Sequence, residues 1–440
     1  MTMEHFIPAD PRRRSPSLAT RVQRGVIAAL VAATSLSAGA ASAAEAGEAR
    51  SQWPSWAIAL VRELRSLRTL AEPTEDVWRG LPVVRAHARG IVGDGRTDVT
   101  DTLQAALDSL SGGGTLLLER GVYVHSRCLV LRHARTRIVG AHARLHAVDP
   151  GRMCIRLEGD HTELRDLEMT ATTIGRGLAI EQARVVVRGR GARVVGNRIV
   201  GATSAGIWVQ GAQNFALVGN HVSATLADGI HNSEGATYGY IARNVTDRTG
   251  DDGIAVVSYR SSARSGRILI EDNRVSDVPL ARGIALVGAH DVVVRRNHVE
   301  GTGRAAGIIV TREDSYDTYG ASRIVVVDNV VSKVARAPSS SPVETTGQAS
   351  IDVNAHVAPT SELQVRQVLI SRNVLANGLT DGIRLLGGVC DVTITRNDIR
   401  DMKGQAIVVA DPACRTVLAH CADNTVEAEH ALPPVCRGRE

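Results

Sequence analysis

Residues 215–257 read FALVGNHVSATLADGIHNSEGATYGYIARNVTDRTGDDGIAVV. A short phrase recurs in this stretch: alternating apolar residues, an Asn, a turn, then Gly-Ile. Asn220 leads to Ile230 and Asn244 leads to Ile254, each 10 residues on. Outward from here the phrase continues along the chain. Its asparagines are Asn197, Asn220, Asn244, Asn273, Asn297, Asn329, Asn373, Asn397 and Asn424. Its isoleucines are Ile207, Ile230, Ile254, Ile284, Ile308, Ile351, Ile383 and Ile407, and Leu178, Ile155 and Leu129 extend the same slot upstream. Short strands of period two, repeated about every 24 residues with Asn or Gly at the corners, predict a solenoid of strands. A parallel β-helix of about 11 rungs follows, each rung burying Val and Ile and pairing its backbone with the rungs on either side. The Asn column is structural: Asn tolerates left-handed corners and passes hydrogen bonds from rung to rung. Leucine-rich repeats share the length but need an L-x-x-L-x-L spacing that is absent.

The bulk properties narrow the class. Hydrophobic residues make up 44% and aromatics only 3%, so the core is aliphatic. The formal charge of +5 is concentrated at the N-terminus: Arg12, Arg13, Arg14, Arg21 and Arg24 face only Glu4 and Asp10, which leaves about +2 for the rest. No basic face for nucleic acid follows from such a balance. Residues 1–43 read as a signal peptide: a basic segment, the apolar run VIAALVAATSLSAGA, and the small-residue site Ala41-Ser42-Ala43. That run is short for a membrane span, and no second one follows. The expected location is periplasmic or secreted, by the general or the twin-arginine route. Residues 44–85 form an N-terminal helical or linker segment, and 86–436 the β-helix domain. Six cysteines fit an oxidising compartment. Cys128 and Cys154, and Cys390 and Cys414, lie about one repeat apart and are either bridged or left as buried thiols; Cys421 and Cys436 sit near the end.

A second signature precedes the coil, GIVGDGRTDVTDTLQAALDSLSGGGTLLLERGVYV at residues 90–124. Thr100 or Asp101 is placed to cap a short helix with the apolar stripe Leu103, Ala106, Leu107 and Leu110. Asp94, Asp98 and Asp101 lack the Gly position and closing Glu of a calcium loop, so capping is their expected role. With Gly93, Gly95, Thr102, Ala105, Gly113, Gly114, Thr115, Gly121 and Tyr123, this segment resembles the N-terminal cap of the pectate-lyase superfamily. The resemblance spans roughly 86–430 and implies a single-stranded, right-handed parallel β-helix, all-β apart from an N-terminal helical cap. It covers hydrolases, lyases, epimerases and phage tailspikes.

Loop lengths indicate where a ligand sits. From each Ile to the next Asn the interval is 13 or 14 residues after Ile207, Ile230, Ile284 and Ile383, but 19 after Ile254, 21 after Ile308 and 22 after Ile351. The segment VARAPSSSPVETTGQA also lengthens one turn between Asn329 and Ile351. Long loops on one face of a regular scaffold wall a groove, with the Gly-Ile strands as its floor. Polar groups gather on three rungs: Asp228, His231, Glu234, Asp251, Asp252 and Arg282, with Tyr259, Arg260, Arg312, Glu313 and Asp314 on nearby loops. Adjacent rungs are about 4.8 Å apart, which makes Asp228 and Asp252 neighbours, and close carboxyls push one pKa up. Trp208 faces outward one rung earlier, placed to stack on a sugar. Asp381-Gly382-Ile383 repeats the Asp-Gly turn far from this group, so turn chemistry alone also accounts for such pairs.

Asp228-Gly229-Ile230 followed by Gly250-Asp251-Asp252-Gly253-Ile254-Ala255 resembles the two acid rungs of polygalacturonases. Those enzymes have Gly-His-Gly on the next rung, where this chain has Ala281-Arg282-Gly283, and their Arg-Ile-Lys is absent. The resemblance implies that Asp228, Asp251 and Asp252 are the acids of an exported glycoside hydrolase: one protonates the leaving oxygen and the others activate water for inversion. His231 and Arg282 join this catalytic set, and Trp208, Glu234, Tyr259, Arg260 and Arg312 would contact a polysaccharide. No cofactor or metal is expected for hydrolysis. The alternatives are a polysaccharide lyase or C5-epimerase on a uronate polymer, where His231, Tyr259 or Arg282 takes the C5 proton and the acids can bind Ca2+, and a non-catalytic polysaccharide-binding β-helix. The sequence leaves the oligomeric state open.

Overall fold

The computed structural model describes residues 52–72, 75–336, 345–356, 358, 360–427 and 432–436. The described residues from Pro54 onward belong to one compact unit. The signal-peptide reading of residues 1–43, and part of the exposed loop before Ile351, lie outside the described residues.

Among the described residues this unit is a coil of three parallel sheets with 13, 13 and 11 strands. Each strand, except those at the two ends of a sheet, pairs with its counterpart one turn earlier and one turn later. Ile207 faces Ile230, Ile230 faces Ile254, Ile254 faces Ile284 and Ile284 faces Ile308. This register follows from the repeat: a slip of one residue would turn the whole isoleucine column out to solvent. The column is fully buried, together with Val209, Val256, Leu286 and Val310. The asparagines form the expected ladder. The amide of Asn220 donates to Oδ1 of Asn244 at 3.0 Å, Asn244 donates to Asn273 at 3.0 Å, and the chain of bonds runs from Asn197 to Asn424. Each Oδ1 also accepts the backbone N–H of the preceding Asn, so the corner polar groups are satisfied in the interior.

Two expectations need correction. The rung assigned to Leu178 is formed instead by Val185–Val187, whose first residue pairs with Ile155 on one side and Ile207 on the other. Leu178 is 75% exposed. The phrase Gly177-Leu178-Ala179-Ile180 imitates Gly-Ile-x-Val, but three consecutive valines, all fully buried, gain more from the slot than Leu-Ala-Ile. The number of rungs in this sheet stays at eleven. The cap helix spans Thr100–Asp108, which puts Thr100 and Asp101 inside its first turn. The N-cap is Val99, without a side-chain cap bond, and Asp98 just before it accepts the N–H of Thr100 through Oδ1 at 2.9 Å. The stripe Leu103, Ala106, Leu107 and Leu110 is buried as read.

The segment before the coil forms a helix, Ser55–Leu64, and a 3-10 turn, Arg65–Ala71. Arg68 of that turn donates twice, at 2.7 Å, to the buried Glu271 carboxylate, which also accepts from Tyr240. Inside the coil Arg184 is fully buried and donates to the carbonyls of Met153 and Leu145 and to Nε2 of His125. Burial drives the His125 pKa down to about 3, so the ring is neutral and has a lone pair to accept with. All three cysteine pairs are bridged: Cys128–Cys154, Cys390–Cys414 and Cys421–Cys436. Among the described residues no helix is long and apolar enough to cross a membrane.

Candidate active site

In the eleven-stranded sheet Trp208, His231, Ala255, Ala285, Ile309, Asp352 and Arg384 stand in register beside the isoleucines, and loops close over much of this column. Ala255, Val257, Ala285, Val287 and Ile309 are buried in a satellite apolar cluster against which Tyr259 packs. Further along, Asp352 is fully buried and pairs with Arg384 at 2.8 Å. What stays open is a cavity of about 650 Å³ beside the Ile207, Ile230 and Ile254 rungs.

Asp228 and Asp252 occupy equivalent strand entrances and make equivalent bonds. Oδ1 of Asp228 accepts the N–H of Asp252 at 3.0 Å, and Oδ1 of Asp252 accepts the N–H of Arg282 at 2.9 Å. One oxygen of each carboxyl therefore ties its rung to the next. The second oxygen of Asp228 meets Nδ1 of His231 at 2.5 Å. The His231 ring stands edge-on to Trp208 at 5.2 Å, and the Trp208 indole N–H donates to Ser233 at 2.9 Å. Asp251, next in sequence, turns to Arg176. Oxygen atoms of Asp228, Asp251 and Asp252 lie within 4.8 Å of one another. That is tighter than the roughly 6.5–9.5 Å between opposed carboxyls in an inverting site, so the spacing itself does not carry the inversion that the resemblance implied.

Electrostatics distinguish the three. Burial raises the Asp252 pKa well above the ordinary carboxylate value; Arg282 opposes the rise, and Asp228 and Asp251 add to it. The Arg282 guanidinium lies between two acids. Its Nε is 3.2 Å from Asp252 Oδ1, in ion-pair range but without hydrogen-bond alignment, and its Nη2 donates to Glu313 at 2.6 Å. These acids outweigh its burial and hold the guanidinium charged. Tyr259 is pushed up to about 12, mainly by burial and then by Asp228 and Glu313.

The cavity lining takes in Asp228, Asp251, Asp252, His231, Arg282, Trp208 and Tyr259. Glu234, Arg260 and Arg312 do not belong to it. Glu234 is exposed on a left-handed turn, φ 56°. Arg260 pairs with Asp317 and Glu362. Arg312 is buried beside Asp314 and donates to the Thr318 carbonyl. Among the other lining residues, four come from loops and were given no site role by the sequence: Arg176 and Leu178 before Val185, and Glu313 and Tyr316 after Ile308. The signal for the first pair was the Gly-flanked stretch Gly175–Gly177, hidden by its likeness to a rung.

A family model described as "Right handed beta helix region" matches residues 178–322. The chain is a right-handed parallel β-helix. The coil is similar to the A-module of a mannuronan C-5 epimerase from Azotobacter vinelandii, at 17% identity and TM-score 0.53 over 79% of this chain and all of that one. It is also similar to the catalytic unit of an alpha-1,3-glucanase from Streptomyces thermodiastaticus, at 16% identity and TM-score 0.55 over 81% of this chain and 69% of that one. A surface protein and adhesin of Streptococcus pneumoniae matches at 13% identity and TM-score 0.53, over 79% of this chain and all of that one. For another alpha-1,3-glucanase catalytic domain, 14–15% identical with TM-score 0.57, structures with bound nigerose or tetrasaccharides carry single Asp→Ala substitutions at three positions, separated by 23 residues and then by 1. At these identities the likeness establishes the fold. A search of curated proteins finds no match.

Proposed function

We propose that the protein is an exported glycoside hydrolase that cleaves a polysaccharide held in the cavity. The observation that carries this reading is Asp252, a buried carboxyl whose pKa stands well above its usual range, beside two further carboxylates. Such a group holds its proton to higher pH than an ordinary carboxyl and has one oxygen uncommitted to the backbone, the requirements for a general acid. Asp252 protonates the glycosidic oxygen as the bond to the anomeric carbon breaks. A water adds to that carbon and gives up its proton to the Asp228 or Asp251 carboxylate, so that one water is consumed per bond. His231 fixes the Asp228 carboxylate, and Arg282 limits how far the Asp252 pKa rises. The intervals Asp228–Asp251 and Asp251–Asp252, 23 residues and 1, equal those between the substituted aspartates of the glucanase. Export is supported by the N-terminal segment and by three disulfides.

Elimination or epimerisation is the second reading, favoured by the fold shared with the epimerase. Both need a base for the C5 proton. Tyr259 at about 12 and Arg282, held charged by its acids, keep their protons at neutral pH, which leaves His231 for that role. The test is incubation with neutral and uronic polysaccharides, reading reducing ends and absorbance near 235 nm together. Reducing ends without absorbance are expected. Absorbance would establish elimination; with neither signal, a changed uronate composition of the recovered polymer would establish epimerisation, and an unchanged one would favour a binding protein.

A further inference from the structure

The charges lining the cavity bear on which sugar it accepts. Two guanidiniums and one imidazole reach it, those of Arg176, Arg282 and His231, and each is already engaged by an acid of the chain. Arg176 meets Asp251, His231 meets Asp228, and Arg282 lies between Asp252 and Glu313. Four carboxyls thus face two guanidiniums and one imidazole. A uronate polymer brings one carboxylate per residue, and recognition of it needs an uncommitted Arg or Lys, best in a bidentate pair. The lining offers none: Arg282 is mostly buried and spans two acids, and the lysines of the chain, Lys333 and Lys403, are absent from it. A uronate here would gain no cation and would stand among like charges.

The remaining walls are apolar and aromatic. Trp208, Tyr259 and Tyr316 all line the cavity in a chain with only 4 Trp, 6 Tyr and 2 Phe, and Tyr316 is 63% exposed. Flat rings with a polar rim suit the C–H faces of pyranose rings. From these two observations we infer that the cavity selects an uncharged glycan, with Arg176 and Arg282 acting as internal counter-ions of the acids and not as readers of substrate carboxylates. The inference rests on the hydrolase reading for its choice of site, but it concerns binding alone.

Binding is measured by calorimetry on the full-length Asp228→Asn protein, which keeps the acids that engage Arg176 and Arg282 and in which turnover does not intrude. The probes are neutral gluco- and manno-oligosaccharides, including alpha-1,3-linked ones, and oligogalacturonates and oligomannuronates of the same length, each with EDTA and with added Ca2+. The expected result is binding of at least one neutral series with affinity at least about tenfold above any uronate, a difference of about 1.4 kcal/mol. Glu313→Gln added to this protein frees one face of Arg282 and should raise uronate affinity towards the neutral one. Uronate binding equal to or tighter than the best neutral oligosaccharide overturns the inference, whether it needs Ca2+ or not, and so does the absence of binding by every neutral probe. Neutral binding by a wild-type protein that releases no reducing ends would sink the hydrolase reading and leave this inference standing.

Discussion

Asp-Gly-Ile occurs at three strand entrances of the same sheet, at Asp228, Asp252 and Asp381. Each carboxylate makes the same backbone bond. Oδ1 of Asp381 accepts the N–H of Gln405 at 2.8 Å, as Asp228 accepts Asp252 and Asp252 accepts Arg282. The tripeptide is therefore a rung connector, and by itself it marks no site. The neighbours make the difference. The equivalent positions on the rungs flanking Asp381 are Ala349 and Gln405, both uncharged. Asp252 has Asp228 on the rung before it, Arg282 on the rung after and Asp251 beside it in sequence, all at a cavity. In the proposed mechanism this structural carboxylate acquires chemistry because burial and the neighbouring acids raise its pKa.

This comparison can be broken at several points. The largest effect is expected from Asp228→Asn, which keeps an oxygen for the Asp252 N–H but removes the charge facing His231. Loss of one acid–base partner lowers the rate by about 100- to 10,000-fold, to be read from reducing-end release, with the circular-dichroism spectrum unchanged. Next, Arg282→Gln removes the cation that restrains the Asp252 pKa. A general acid works only while protonated, so activity falls as pH rises through that pKa. The alkaline limb of the pH–rate profile should move to higher pH in the variant, and a limb that stays in place would contradict the acid role.

What was legible in the sequence follows from periodicity. The Ile column, the Asn ladder and the register of Asp228 against Asp252 are dictated by a repeat in which each residue sees the same neighbours every turn. Loops have no such constraint. Arg176 and Tyr316 reach the cavity from segments whose course depends on local turns, and Leu178 imitated a rung until the Val185–Val187 run displaced it. Glu234, Arg260 and Arg312 lie close to the site in sequence, yet Arg260 and Arg312 are bound to partners of their own and Glu234 turns out to solvent. Arg184 could not be foreseen inside the coil, since its partners are carbonyls on other rungs and the neutral ring of His125.

Stability offers smaller tests. Asp252 has a folded pKa above its unfolded value. Its contribution to stability is thus complete in acid, below the unfolded pKa, and is lost as pH rises through the folded pKa. Asn carries no charge at any pH, so Asp252→Asn should have an equal or higher Tm than the wild type at pH 8 and lose that advantage at pH 4. Cys128→Ser, together with Cys154→Ser, opens a bridge between residues 26 apart. By loop entropy it should cost about 3 kcal/mol in urea unfolding, with the reaction rate of the remaining folded protein unchanged.

The most direct test sets Asp252→Asn beside Asp381→Asn on the neutral polysaccharide that the wild type cleaves best. The two substitutions remove the same atom from the same backbone motif. Asp252→Asn should lose at least about 1000-fold in kcat, within the range for a general acid, while Asp381→Asn should stay within about twofold of wild type, as expected of a surface change. Equal rates for the two variants, or no reducing ends from the wild type on any polysaccharide, would contradict the assignment of Asp252 as the acid of a hydrolase.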